Sequence, residues 1–298
     1  LARFEARHEP SMQEMALAAL SGDEQCIIFS QLCNVLDPGV AVAFSCASNE
    51  LRALTQAQRQ QLRADHEVAT ALCHTLEMQS CKELREAKVV DAMNKGLSSA
   101  HLALLGTLGS VLPALEDLYL FERSAGPHGV QRLLAGLGAG ALPAAIDLAV
   151  IGANVGDAGA SAVAAALGRG AMPRLQSLHL SRTTLGDAGL VALAPALRWL
   201  PALERLVFRG NPFGNEGLAA LVAPPLPPVG APPTPTRAVW RRGLAGGLAK
   251  LKALEISSTQ VTDTGCAALA SALSSGALPE LVMIGIGNIP ASAASKAA

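Results

Sequence analysis

The chain has 298 residues, 50% of them apolar and only 16% charged, with a net charge of −1. This supplies apolar material for one large or two modest cores and excludes disorder throughout, while the near-neutral balance gives no pull toward nucleic-acid phosphates or an anionic membrane. Aromatic residues reach only 3%, and an apolar share carried by Leu, Ala and Val suits thin layers of one small, stacked unit.

Mean hydropathy is positive, but the charge-free stretch Leu218 to Thr236 holds seven prolines and the other apolar runs are cut by Gly, Asp and Arg. No transmembrane helix is expected. Cys26, Cys33, Cys46, Cys73, Cys81 and Cys266 form no CxxC pair, so they read as reduced, mostly buried thiols of an intracellular protein, cytoplasmic or nuclear. The chain opens at Leu1 without Met or a signal peptide's apolar core, and it reads as a fragment.

Residues 1–80 carry no repeat and are predicted to form short helices: Asp23 opens EQCIIFSQLCNVL, Pro38 restarts the chain, and Asn49 opens one long helix to Leu76. The stretch from Asp23 to Leu54 resembles an F-box on Ile28, Leu32, Leu36, Pro38, Ala41, Phe44, Leu51 and Arg52, although the family's leading Leu-Pro and its tryptophan are missing. That resemblance implies a Skp-type adaptor bound through Ile28, Leu32, Leu36 and Phe44, with the rest of the chain holding a substrate for a cullin ubiquitin ligase. The alternative is an amphipathic cap over the end of a stack. His66-Glu67 begins a zinc-protease motif, but Thr70 stands where HExxH needs its second histidine.

From residue 81 to 298 the chain repeats. Segments starting at Leu112, Leu142, Met172, Leu200, Leu248 and Leu278 lie 30, 30, 28, 48 and 30 residues apart, the long interval being a normal one with about 20 residues inserted. Apolar residues first alternate, as in Leu203, Leu206 and Phe208, which predicts a strand with one buried face. A glycine follows (Gly129, Gly159, Gly189, Gly217, Gly265), with apolar residues four and eight further on at helical spacing. Asp157, Asp187, Asn215 and Asp263 stand two residues before that glycine, where they are expected to cap their own helices. A weaker unit begins near Leu84, with Val90 in its strand and Leu102 and Leu105 in its helix.

The pattern LxxLxLxxN…GxxxL resembles the ribonuclease-inhibitor type of leucine-rich repeat. The fold class this implies is α/β: a solenoid with a curved parallel β-sheet on its concave face and helices on its convex face, preceded by a small all-α region. Only Asn211 keeps the family's strand-end asparagine; Arg123, Ala153, Thr183 and Thr259 replace it elsewhere. The stack ends at Ala298 soon after its last strand, and further repeats are expected beyond it.

Residues of about 223–247 form a proline-rich insertion that replaces the end of one repeat helix and is expected to leave the stack as a loop. Within it, Pro232, Pro235 and Arg237 have PxxPxR spacing, and Trp240, Arg241 and Arg242 return the chain.

No residue set predicts catalysis, a cofactor or a metal. Gly136, Gly138 and Gly140 end a helix, whereas a phosphate loop opens one. The strand residues facing outward carry the functional expectation. Asp117, Tyr119, Phe121, Asp147, His179, Arg182, Arg205, Arg209 and Glu255 form a mixed surface for a protein partner, with Tyr119, Phe121 and Arg205 the main anchors. The reading is a non-catalytic interaction scaffold. An F-box receptor is one alternative; a GTPase regulator is another, since Ran GTPase-activating proteins use the same repeat type.

Overall fold

The computed structural model describes residues 20–121, 128–223 and 248–297, so the proline-rich insertion and Arg123 lie outside the described residues. The described chain falls into two compact units. One takes residues up to His74 with Gln79–Lys82; the other takes Thr75–Met78 and residues from Glu83 on.

The first unit is helical: α1 (Gly22–Leu32), α2 (Gly39–Ser45), α3 (Asn49–Leu54), α4 (Gln56–Thr75) and the start of α5 (Cys81–Glu86). Helices α1 and α3 are capped by Ser21 and Ser48, not by Asp23 and Asn49 as the sequence suggests. Ser21 Oγ accepts from Glu24 N while Glu24 Oε2 accepts from Ser21 N at 2.8 Å, a capping box that satisfies two otherwise free donors. Ser48 Oγ likewise accepts from Leu51 N at 3.0 Å. The long predicted helix is broken at Thr55, whose buried hydroxyl donates to Leu51 O at 2.8 Å and so competes with the helical ladder. Phe29, Ala41 and Leu62 form the core, with Leu32, Cys33, Val35 and Phe44 packed on it. His66 Nδ1 lies 2.7 Å from Val35 O, so this ring locks a turn.

The second unit is a seven-stranded parallel sheet in sequential order: β1 (Val89–Met93), β2 (Asp117–Phe121), β3 (Asp147–Ile151), β4 (Ser177–Ser181), β5 (Arg205–Val207), β6 (Ala253–Glu255) and β7 (Met283–Gly285). The helices between them are α6 (Ser99–Thr107), α7 (Gly129–Gly136), α8 (Gly156–Gly168), α9 (Asp187–Arg198), α10 (Asn215–Val222) and α11 (Asp263–Ser275), with α12 (Ala293–Ala297) last. This is a leucine-rich-repeat solenoid. Helix α10 stops at Val222, well short of its neighbours, where Pro224 ends the pattern.

One backbone device recurs at every step. The carbonyl just before a strand accepts two consecutive N–H groups of the next repeat: Lys88 O, Glu116 O, Ile146 O, Gln176 O, Glu204 O and Lys252 O do so at 2.7–3.1 Å. It places each strand in register with the last, so that Asp117, Asp147, Ser177, Arg205, Ala253 and Met283 align across the sheet. The inward residues Leu118, Leu120, Leu148, Val150, Leu178, Leu180, Leu206 and Leu254 are buried, each contributing roughly 1.5–3 kcal/mol of burial.

Side chains then tie repeat to repeat. Asp157, Asp187, Asn215 and Asp263 do not cap their own helices. Their Oδ1 atoms accept from Gly186 N, Gly214 N, Thr262 N and Ser292 N of the following repeat at 2.6–2.9 Å. The single strand-end asparagine is a second tie: Asn211 Oδ1 accepts from Thr183 N and Leu185 N, and its Nδ2 donates to Leu180 O and Phe208 O. Arg169 donates to Leu134 O and Leu137 O at the end of α7, satisfying carbonyls that a helix C-terminus leaves open. All six cysteines are free thiols, but only Cys73, Cys81 and Cys266 are buried and Cys46 is exposed.

Candidate functional site

A parallel ladder puts equivalent residues side by side, about 4.8 Å apart, so outward strand positions form continuous rows. One row runs Val89, Asp117, Asp147, Ser177, Arg205, Ala253, Met283; the next runs Asp91, Tyr119, Ala149, His179, Val207, Glu255, Gly285. The small members Ala149, Ser177 and Ala253 are buried, because longer neighbours lean over them. Asp117, Tyr119, Phe121, Asp147, His179 and Glu255 are half-buried, and Arg182, Arg205 and Arg209 are exposed.

Three of these side chains rest on a glycine of the next repeat. A Cβ at Gly152 would lie 2.5 Å from the Phe121 ring, one at Gly210 would lie 2.9 Å from Arg182 Cγ, and one at Gly285 would collide with the Glu255 carboxylate. Phe121 therefore spends part of its surface on packing, which leaves Tyr119 as the more available aromatic side chain of β2.

The middle of the face carries a small polar cluster that sequence reading did not assemble, since Asp147 comes from β3 and Ser177 and His179 from β4. His179 Nε2 lies 2.8 Å from Ser177 Oγ, and the buried Asp147 Oδ1 beside them has no hydrogen-bond partner among the described residues. Burial raises the Asp147 carboxyl above its ordinary value, opposed by His179, Ser177 and Arg205 and reinforced by Asp117. Burial also lowers the His179 imidazole, with Arg205 adding to the effect and Asp147 opposing it, so the ring is neutral at pH 7. The contacts do not form a nucleophilic triad. Among the described residues no hydrogen bond joins His179 to Asp147, whereas activation of a serine needs a histidine oriented by an acid.

Beside this cluster, a cavity of about 230 Å³ opens at the entrance to β3–β6, lined by Asp147, Ser177, Glu204, Arg205 and Lys252 among others. Lys252 Nζ pairs with Glu204 at 2.9 Å, and Lys88 Nζ with Glu116 at 2.9 Å. Asp91 and Met93 of β1 complete the face; the weak first repeat hid them, although they stand 28 residues before Tyr119 and Phe121. Among the described residues no cluster of His, Cys, Asp and Glu could hold a metal ion, and no helix is long and apolar enough to cross a membrane.

In the helical unit the four adaptor candidates are placed differently from one another. Ile28 is half-buried, Leu32 and Phe44 pack on the core, and Leu36 is buried. The exposed large apolar side chains are instead Ile27 and Val40, at 59% and 57% accessible, with Val42, Leu54 and Val68. Two residues along a helix turn the chain about 200° around the axis, so with Phe29 in the core Ile27 faces away from it.

A family model described as leucine-rich repeat matches residues 172–194, 201–222 and 247–270. Repeats of this kind are in general interaction modules. No curated protein matches the chain. Among solved structures, a chain from the crystal structure of the Rad7 and Elc1 complex in yeast is similar to it at 14% identity and a TM-score of 0.27, covering 94% of this chain and 87% of that one.

Proposed function

We propose that this chain is a non-catalytic scaffold that binds a partner protein on the outward face of its sheet. One observation carries the reading: seven strands in register present two rows of outward side chains in which accessible charged and aromatic residues, Tyr119 and Arg205 among them, stand between small buried ones. Aromatic residues and Arg dominate the energy of protein interfaces, and both signs of charge on one face suit a protein better than a polyanion. The test replaces Tyr119 with a photo-crosslinking residue and identifies what it captures, then repeats binding with Tyr119→Ala/Arg205→Ala. Binding to the captured protein should fall at least tenfold; unchanged binding overturns the reading.

A second reading rests on the helical unit, where Ile27, Val40, Val42 and Leu54 stay exposed. Under it the unit docks a Skp-type adaptor and the repeats hold a ubiquitin-ligase substrate. Co-purification of such an adaptor that is lost in Ile27→Asp supports it, and a complex indifferent to Ile27 and Ile28 removes it. A GTPase-regulator reading draws no support from Asn211, which is buried and fully engaged within the stack.

A further inference from the structure

From β1 to β5 the charges on the outward face change sign along the stack. Asp91, Asp117 and Asp147 come from β1, β2 and β3 and surround the Tyr119 position: Asp91 stands beside it in register, and Asp117 and its register partner Asp147 lie in the adjoining row. Among the described residues none of these carboxylates is ion-paired to a lysine or arginine, whereas Lys88 and Lys252 are engaged with Glu116 and Glu204 at the strand entrances. At β4 and β5 the sign changes, before Glu255 on β6 returns a carboxylate to the face. Arg205 on β5 is exposed, and Arg182 and Arg209 stand exposed just past the ends of β4 and β5, none of them in an ion pair among the described residues. Between the two halves lie only the buried Ala149 and Ser177 and the neutral His179.

Resting on the sheet-face reading above, we infer that the occupant of this face is a segment of a partner protein that lies across the strands, with a basic side chain over Tyr119 and an acidic side chain over Arg205. A cation there meets the face of a phenol and three carboxylates that no lysine or arginine ion-pairs among the described residues, a combination that favours arginine or lysine. Tyr119 is half-buried, and burial together with Asp117, Asp147 and Asp91 raises its hydroxyl above its ordinary value. From β2 to β5 is three strand steps, or about 14 Å, the length of roughly four extended residues. Opposite charges at that separation fix the register of the segment, and like-charged or reversed segments are rejected.

The experiment uses the whole chain, with 3-fluorotyrosine at its single tyrosine, Tyr119, to select binders from a random peptide library. Selected peptides should shift the fluorine resonance and should share a basic and an acidic residue about four positions apart. Selection against Asp117→Lys, or against Asp91→Lys at an exposed site if the first variant does not fold, should lose the basic residue and keep the acidic one. Peptides that shift the resonance but share no basic residue overturn the charge assignment and leave the sheet-face reading standing. Binders that leave the resonance unmoved, or a library that yields none, overturn both.

Discussion

Asp187 and Gly217 form an interlocked pair across two repeats: the Asp187 Oδ1 atom accepts from Gly217 N at 2.6 Å, and a Cβ on Gly217 would stand 2.8 Å from that oxygen. The glycine is required because the carboxylate of the preceding helix occupies the place of a side chain. The same oxygen also accepts from Gly214 N at 2.8 Å. Gly189 over Asp157 and Gly265 over Asn215 repeat the arrangement, so the Asp-x-Gly spacing is an inter-repeat latch.

Asp187→Ala should cost about 1.5–3 kcal/mol, the range for hydrogen bonds to a charged group. Gly217→Ala should cost about 1–3 kcal/mol by overpacking. The double variant should cost clearly less than the sum, because removing the carboxylate makes room for the methyl group. Urea unfolding of the four proteins measures the coupling, and strict additivity would show the latch to be absent.

Asn211→Ala removes a side chain that serves Thr183 N, Leu185 N, Leu180 O and Phe208 O in the interior. Each group left buried and unpaired costs about 1–3 kcal/mol, so a loss of roughly 3 kcal/mol or more is expected. Thr259→Ala, which removes only the hydroxyl bond to Ile256 O, should cost about 1 kcal/mol. Equal losses in the two variants would contradict the ladder role of Asn211.

Acidification should weaken the repeat unit through His179. A ring whose value is lowered by burial binds fewer protons folded than unfolded, so its contribution is complete above the ordinary 6.5 and is lost as pH falls through the folded value. Asp147 works the other way, since its raised carboxyl favours the folded state as pH falls toward 3.8. Comparison of Tm for the native chain and His179→Gln between about pH 7.5 and 5.5 isolates the first effect. The native chain should lose more Tm on acidification than the variant; parallel curves would contradict it.

Leu36→Ala should destabilise the helical unit by about 2–5 kcal/mol, as expected for a buried leucine. Ile27→Ala, at an exposed site, should change stability by under about 0.5 kcal/mol. Thermal unfolding separates the two, and the contrast decides which substitutions report on adaptor binding and which merely unfold the helices.

Much of the repeat unit was legible in the residues because each signal is local. Alternation at Leu203, Leu206 and Phe208 and helical spacing from Gly189 to Leu193 and Leu197 need no knowledge of distant neighbours, and the spacing of the units names the stack. The weak first repeat was found from Val90, Leu102 and Leu105, all of them buried. The helix starts at Ser21 and Ser48 were missed by one or two residues because a nearby Asp or Asn offers a similar capping oxygen.

What only the tertiary structure decided is what depends on register between repeats. The sequence places Asp187 near its own helix, and one-dimensional spacing cannot show that the next helix packs closely enough for Gly217 N to reach it. In the same way, Asp147 lies on one repeat and Ser177 and His179 on the next, and they meet only because β3 and β4 align residue for residue. The sequence by itself determined that a stack forms and which side chains point out of it. The contacts those side chains make were decided by packing, because hydrogen bonds reach only about 3 Å and residues that far apart in space stand some 30 apart along the chain.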